Sequence, residues 1–166
     1  MGPEEDLVSV RLARGCRCFA AWSGDELVGY GWLSRGPEWI GEVELEISPG
    51  SGEAYIWNCV TLPAHRQRGV FRSLLINISA QARAEGLVRL WVGSVAIPAE
   101  KAMGPSGFQP ALRLDSTVIR DMRWLKVMNA EGANPSLVEA ARQVLSVGRR
   151  PLRLGTSLRL SRPKRH

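Results

Sequence analysis

Residues 53–86 constrain the fold most strongly, because they join a strand pattern to a helix pattern through a short polar turn. The run "EAYIWNCVTL" is rich in aromatic and β-branched residues, and Pro63 ends it. Helical spacing then extends from Val70 to Arg83, before Gly86, and its apolar positions are Leu74, Leu75, Ile78 and Ala82. We therefore expect a strand that leads directly into an amphipathic helix packed on the sheet.

The turn between strand and helix, Arg66-Gln67-Arg68-Gly69, is suited to an anion. A helix N-terminus offers unpaired N–H groups and the positive end of the helix dipole. Gly69 lets the backbone approach a ligand, and the arginines supply charge. The turn matches neither the G-x-x-x-x-G-K-S/T nor the G-x-G-x-x-G fingerprint. The pattern predicts a site for a phosphate-bearing ligand, and a solvated, arginine-rich helix start is the alternative.

The first third of the chain predicts a helix, a hairpin and a strand. Pro3, three acidic residues and a stop at Gly15 indicate a helix over about 3–14. The runs "CRCFAAW" and "ELVGYGWLS" flank the polar turn "SGDE" and predict an antiparallel hairpin. "WIGEVELEI" alternates strictly and predicts one half-solvated strand, with Val43, Leu45 and Ile47 on one side and Glu42, Glu44 and Glu46 on the other.

The remainder adds a strand in "LVRLWVGSV", a short helix starting at Pro98 and one or two strands within 111–127. Asn134 before Pro135 marks the start of a last helix, up to Gly148. The tail "PLRLGTSLRL" fits either an edge strand or a disordered basic arm. This order predicts an α/β (α+β) fold: a mixed, mostly antiparallel sheet flanked by helices, with an extra C-terminal helix and a basic tail.

Composition narrows the function classes. At 166 residues and 45% hydrophobic content, the chain can bury one sizeable core. Seven of its 22 basic residues lie in 149–166, which holds no acid, so the preceding residues carry 15 basic and 16 acidic groups. The cysteines, Cys16, Cys18 and Cys59, and only two histidines make a zinc site improbable. The acidic N-terminus does not fit a signal peptide, and the apolar runs are too short to span a membrane. We therefore expect a cytoplasmic protein.

Two motifs resemble the GCN5-related N-acetyltransferase (GNAT) superfamily. Its P-x-x-R/Q-x-x-G-x-G/A signature is similar to "VTLPAHRQRGVF", with Pro63, Arg66 and Gly69 in register and Phe71 in place of the last small residue. "AIPAEKAMGPSGF", residues 96–108, reproduces the spacing of a second motif. The resemblance implies an acyl-CoA-binding domain over 1–128 that lacks the family's usual first strand and helix. Residues 129–166 would then be a C-terminal helix and basic extension packed on the same domain.

The resemblance implies acetyl-CoA (coenzyme A) as the cofactor, with the pyrophosphate on the backbone amides of residues 67–72. The pantetheine arm would follow a bulge at residues 60–62 and pass near Gly93 and Ser94. The implied cofactor-binding residues are Val60, Thr61, Leu62, Arg66, Gln67, Arg68, Gly69, Val70, Phe71, Arg72, Ser94 and Met103.

The catalytic candidates are Glu53, Tyr55 and Asn58. Acyl transfer to an amine needs a neutral acceptor, a polarised carbonyl and a stabilised thiolate. The resemblance assigns carbonyl polarisation to a backbone N–H near Thr61. Glu53 or Tyr55 would steer a water that deprotonates the amine, and packing in the cleft wall is the alternative for Tyr55. Asn58 is expected on the opposite face.

Two positions depart from the family pattern. The usual tyrosine acid aligns with Met103, which cannot donate a proton, and the usual asparagine aligns with Ala96. The thiolate would therefore leave by way of water, another residue would substitute, or the protein would be an inefficient enzyme.

The resemblance implies an N-acyltransferase that moves an acetyl or short acyl group from coenzyme A to a primary amine of a small molecule or protein. The alternative is a non-catalytic acyl-CoA-binding or partner-docking module of the same fold. The basic tail predicts at most an accessory contact with nucleic acid, because no aromatic residue interleaves with its arginines. Exposed leucines at 152, 154, 158 and 160 favour a homodimer. The tryptophans are expected in the core. For Trp39, which lies in the loop "GPEWIG", the alternative is that its side chain covers the site.

Overall fold

The computed structural model describes residues 5–95, 97–119, 122–147 and 152–155. Its helices are α1 (Glu5–Ala13), α2 (Val70–Ala84), α3 (Ile97–Met103) and α4 (Pro135–Val144). Its strands are β1 (Arg17–Ser23), β2 (Glu26–Ser34), β3 (Glu38–Ile40), β4 (Leu45–Ile47), β5 (Glu53–Thr61), β6 (Arg89–Val92), β7 (Leu112–Ile119), β8 (Met122–Asn129) and β9 (Leu152–Gly155). The predicted mixed, mostly antiparallel sheet with flanking helices is confirmed.

The central sheet has the strand order β1-β2-β5-β6. The predicted β1–β2 hairpin is confirmed, β2 and β5 are antiparallel, and β5 and β6 are parallel because α2 connects them. The parallel ladder pairs Glu53–Ile56 with Arg89–Val92 and goes no further. The second half of β5, residues 57–61, therefore extends beyond the end of β6.

A β-bulge lies in this second half of β5. Trp57 pairs with Trp32 and Val60 pairs with Tyr30, so Asn58 and Cys59 together oppose the single residue Gly31. Asn58 has a left-handed φ of 44°. Because Gly31 has no side chain, Cys59 Sγ can lie only 2.8 Å from the position that a Cβ there would take. The bulge predicted at residues 60–62 is thus located at Asn58 and Cys59.

Helix α2 packs on one face of this sheet, as its spacing predicted. Its buried residues Leu74, Leu75, Ile78 and Ala82 match the predicted apolar row. They pack against Leu33 from β2 and against Ala54 and Ile56 from β5. This cluster fixes the start of α2 beside the free end of β5.

The opposite face of the sheet forms a second core with the C-terminal elements. Tyr55 and Trp91 pack there with Leu125 from β8 and Val144 from α4. The predicted Asn134 cap of α4 is confirmed, because its Oδ1 accepts a hydrogen bond from Ser136 N at 2.9 Å.

The two candidate strands within 111–127 are the antiparallel hairpin β7–β8, and β9 adds to it beside β8. Residues 152–155 of the tail are therefore an edge strand, in agreement with one of the two predicted alternatives. The rest of the tail, including Leu158 and Leu160, lies outside the described residues.

The single strand predicted over 39–47 is wrong, because this segment folds back as the β3–β4 hairpin. Glu44 in the turn has a left-handed φ of 51°. Arg123 holds the turn by donating from Nη1 to Glu42 O at 3.0 Å and by an ion pair with Glu44 at 3.4 Å. The predicted alternation of burial nevertheless holds, since Val43, Leu45 and Ile47 are all buried.

The three cysteines are free: Cys16 is buried, Cys18 is exposed and Cys59 is half-buried. Burial raises the pKa of Cys59 to about 12, which keeps it a thiol at neutral pH. Within the described residues, no group of three or more His, Cys, Asp or Glu side chains could hold a metal ion. None of the helices described is long and apolar enough to cross a membrane.

We predict that Gly29→Ala lowers the free energy of unfolding by about 1–3 kcal/mol. A Cβ at Gly29 would lie 2.7 Å from Val60 O and 2.9 Å from Val70 Cγ1, where β2, β5 and α2 meet. Urea unfolding followed by circular dichroism measures the loss. Gly41→Ala is the matched control, because a Cβ there has no atom within 4 Å. Equal stability of the two variants would contradict the close approach.

Candidate active site

The phosphate turn, residues 66–69, leaves the start of α2 open. Gln67 and Gly69 both have left-handed φ values, 62° and 80°. The first helical hydrogen bond is from Ser73 N to Gly69 O, so the amides of residues 70–72 precede the hydrogen-bonded part of the helix. A Cβ at Gly69 would have nothing within 4 Å, and residues 66–69 are all exposed. Both the space and the donors that an anion needs are present.

Three arginines surround this turn. Arg66 folds back toward β5 and donates from Nε to Thr61 O at 3.4 Å. Arg72 donates to Pro105 O at 3.4 Å, which connects the first turn of α2 to the segment after α3. Arg68 is exposed. Positive charge is therefore concentrated on both sides of the open helix start.

β5 extends beyond the end of β6. We call the region between residues 57–61 of β5 and residues 93–94, which follow β6, the β5–β6 gap. Leu62 N donates to Val28 O at 3.0 Å on the β2 side. Because an antiparallel ladder alternates, the N–H of the preceding residue, Thr61, points away from β2 toward this β5–β6 gap. Val60–Leu62 and Gly93–Ser94 thus follow the last β5–β6 pair, each on its own strand, and the chain continues from Leu62 into the phosphate turn.

Phe71 and Met103 are half-buried and pack against the α2 core cluster, as does Phe108. The Phe71 side chain therefore faces the core, while its backbone amide stays in the first turn of α2. Ala96 lies outside the described residues.

Glu53 lies at the closed end of the β5–β6 pair. Its carboxylate forms an ion pair with Arg89 at 2.6 Å and accepts a hydrogen bond from Trp91 Nε1 at 2.8 Å. Glu53 pairs with Arg89 at the start of the ladder, whereas the gap opens after Ile56. These contacts favour a structural role, and the catalytic assignment of Glu53 stays a prediction.

Tyr55 lies nearer to the gap. A Cβ at Gly93 would be 3.8 Å from its hydroxyl oxygen. Burial raises the pKa of this hydroxyl to about 12, and the acidic groups of Glu42, Cys59 and Glu38 act in the same direction. Tyr55 is therefore protonated at neutral pH and can donate a hydrogen bond, but it does not act as a base by itself. Asn58, the third candidate, lies in the bulge beside Cys59 and is half-buried.

A cavity of about 380 Å³, which we call the Trp39 cavity, lies between α1, β3, β4 and β5. Its apolar lining consists of Leu7, Val10, Pro37, Trp39 and Trp57. Trp57 is also the first residue of β5 beyond the last β5–β6 pair, so this one residue both lines the cavity and borders the gap. Trp39 lines this cavity and is 62% exposed, so it is not a core residue, and its role as a cover over the site stays a prediction.

Four charged residues complete the lining of the Trp39 cavity. The Arg11 guanidinium lies over the rings of Trp57, at 4.6 Å, and Trp32, at 5.2 Å. Arg14 forms an ion pair with the buried Glu38 at 2.9 Å, and Glu46 accepts a hydrogen bond from the Ser48 hydroxyl at 3.0 Å. Sequence reasoning missed this cavity, and its one available signal was an arginine among the apolar residues of α1.

Comparison with known proteins agrees with this geometry. Residues 3–104 match the family model described as the acetyltransferase (GNAT) family. The chain belongs to this family. It is therefore a GNAT-type N-acetyltransferase, and the acetyl donor of the family is acetyl-CoA. The match spans both the phosphate turn and the β5–β6 gap.

Several solved structures are similar to this GNAT chain, whereas none of the curated proteins matches it. A putative acetyltransferase from Agrobacterium tumefaciens is 21% identical, with 66% of this chain and 74% of that chain covered and a TM-score of 0.49. A Bacillus subtilis acetyltransferase in complex with CoA is 21% identical, with coverages of 68% and 64% and a TM-score of 0.48. An aminoglycoside N-acetyltransferase in complex with CoA is 18% identical, with coverages of 69% and 90% and a TM-score of 0.48. Such identities give no information on the acceptor.

We predict that Tyr55→Phe removes a phenol whose pKa burial raises to about 12. Since the pKa of Tyr55 is raised above the usual value near 10 to about 12, its stabilising effect is complete below pH 10 and is lost as the pH rises toward 12. Absorbance at 295 nm detects phenolate and is insensitive to Cys59, whose pKa is also raised to about 12. The wild type should show a late transition that the variant lacks. Superimposable titrations of the two would refute the assignment.

Proposed function

We propose that this protein transfers the acetyl group of acetyl-CoA to a primary amine of a small molecule or a protein. The observation that carries the proposal is the short connection between the open start of α2 and the half of β5 that extends beyond β6. A phosphate at the helix start and an extended arm along β5 would together place a thioester in the β5–β6 gap. This is the geometry that transfer from a long, pyrophosphate-bearing donor requires.

The cofactor roles follow from position. The amides of residues 67–72, with Arg66 and Arg68, would bind the pyrophosphate. The pantetheine arm would lie along Val60, Thr61 and Leu62 and pass Gly93 and Ser94. Met103 would contribute apolar packing behind Phe71, because both pack against the same cluster.

The reaction forms a bond between the amine nitrogen and the acetyl carbon and breaks the carbon–sulfur bond. The Thr61 N–H would polarise the carbonyl, since it points into the gap. Tyr55 would hold the water that accepts the proton of the amine, as a hydrogen-bond donor rather than a base. Another water would protonate the departing thiolate, because Met103 cannot donate a proton. Asn58 would contribute through its backbone, because its left-handed conformation forms the bulge of β5 near the thioester.

The non-catalytic acyl-CoA-binding module stays the competing proposal, and it requires ligand binding without turnover. Residues 1–128 would form the catalytic domain, with 129–166 as an extension on the same core. A homodimer, an accessory nucleic-acid contact of the tail and a cytoplasmic location stay predictions.

We predict that acetyl-CoA at about one hundred times its dissociation constant stabilises the protein by roughly 2.7 kcal/mol. Arg66→Ala and Arg68→Ala should weaken this gain, because each removes positive charge beside the phosphate turn. Thermal unfolding with and without the ligand measures the effect.

Arg83→Ala is the matched control for these two variants. Arg83 is an exposed arginine in the last turn of the same helix, far along α2 from the phosphate turn. Its removal should leave the ligand-induced gain unchanged. A gain that is absent in the wild type, or equally reduced in all three variants, would be inconsistent with the proposed cofactor site.

We predict that the protein releases free CoA from acetyl-CoA in the presence of a primary amine and forms the N-acetyl product. A thiol-reactive dye measures the release, and mass spectrometry of the product excludes simple thioester hydrolysis. Acetyl-CoA binding without amine-dependent release would favour the non-catalytic module.

A further inference from the structure

The charged residues that line the Trp39 cavity differ in the kind of partner that the structure gives them. Glu38 is buried and has a cationic partner, Arg14. Arg11 is only 7% exposed, and its charge lies over two indole rings. Glu46, by contrast, is exposed, and the partner described for it is the neutral hydroxyl of Ser48. The cavity thus presents one accessible carboxylate whose described partner carries no charge.

Three apolar residues of the cavity lining are exposed to solvent. Trp39 is 62% exposed, Val10 is 53% exposed and Leu7 is 46% exposed. These side chains border a volume of about 380 Å³, within the range of small-molecule sites. A ligand that fills this space removes apolar surface from water, which favours a hydrophobic body over a polar one.

The position of the cavity suits the acceptor. Trp57 both lines the cavity and is the first residue of β5 beyond its last pair with β6, so an amine held there would lie beside the gap. Long polycations fit poorly, since they would meet Arg11 and Arg14 with a single accessible carboxylate in the lining.

We propose that the Trp39 cavity selects a small primary amine carried on an apolar or aromatic body, with its ammonium group paired to Glu46. This inference rests on the proposed acetyl transfer. The ammonium gives up one proton to water, and the neutral nitrogen attacks the acetyl carbon. As the carbon–sulfur bond breaks, the nitrogen loses a second proton, which passes through water to the departing CoA thiolate. The rings of Trp39 and Trp57 contact the body of the amine and add cation–π attraction at its charged end.

The test compares three acceptors at saturating acetyl-CoA: phenethylamine, ethylamine and spermidine. We expect kcat/KM for phenethylamine to exceed both others by at least about tenfold, because only this amine combines one charge with an aromatic ring. Trp39→Ala should raise KM for phenethylamine and leave KM for ethylamine unchanged. Glu46→Gln should raise KM for both monoamines roughly fivefold with little change in kcat, as expected for loss of a partly exposed ion pair.

Glu139→Gln is the matched control, since it removes an exposed carboxylate on α4 outside the cavity lining. A preference for spermidine, or wild-type kinetics in both cavity variants, would overturn the inference and leave the acetyltransferase proposal intact.

A second measurement is independent of turnover. Calorimetric titration of phenethylamine into the protein saturated with CoA should show binding that Glu46→Gln weakens and Glu139→Gln does not. Binding of this kind without acetylation would support the cavity and contradict the proposed function. The absence of binding would overturn the cavity assignment.

Discussion

The candidate site depends on one feature of the central sheet: the parallel strands β5 and β6 separate after four residue pairs. β5 and β6 are paired from Glu53 to Ile56, and β5 then continues alone on that side. Backbone groups that face such an opening must be paired with water or a ligand, because unpaired buried N–H and C=O groups are costly. In parallel sheets, ligands bind at the carboxyl ends of strands, and here that end also leads into the phosphate turn. One local departure from regular pairing thus creates both an extended binding edge and a route to an anion site.

Contacts at both ends of β5 hold this arrangement in place. At the closed end, the Glu53 carboxylate joins Arg89 and Trp91, so that its partly buried charge is paired and hydrogen-bonded. At the open end, two glycines of β2 allow close approach: Gly31 makes room for Cys59 at the bulge, and Gly29 makes room for Val60 O and Val70. The open end is therefore fixed by backbone packing, and the functional side chains are added to a preformed gap.

Local features of the chain were predictable, and features made by contacts between distant segments were not. The α2 row of Leu74, Leu75, Ile78 and Ala82 and the Asn134 cap depend on spacing within one element, so the sequence is sufficient for them. The reversal at Glu44 escaped prediction because burial keeps its period of two through the turn, while the hairpin is held by Arg123 from β8. The bulge lies at Asn58 and Cys59 and not at the predicted residues 60–62. Its position depends on Gly31, which is on the neighbouring strand and makes room for Cys59. The Trp39 cavity combines α1, β3, β4 and β5, and no local pattern of Arg11 or Glu46 indicates that they meet.

The central claim is that one continuous path, from the phosphate turn through the β5–β6 gap to Trp57, binds the acetyl donor. The most direct measurement is a titration of the ¹⁵N-labelled protein with acetyl-CoA, followed by the backbone amide chemical shifts. The account predicts the largest changes at residues 67–72, at Thr61 and at Gly93 and Ser94, with little change in β7 and β8. Changes confined to other parts of the chain, with the Gly69 and Thr61 amides unaffected at saturation, would contradict it.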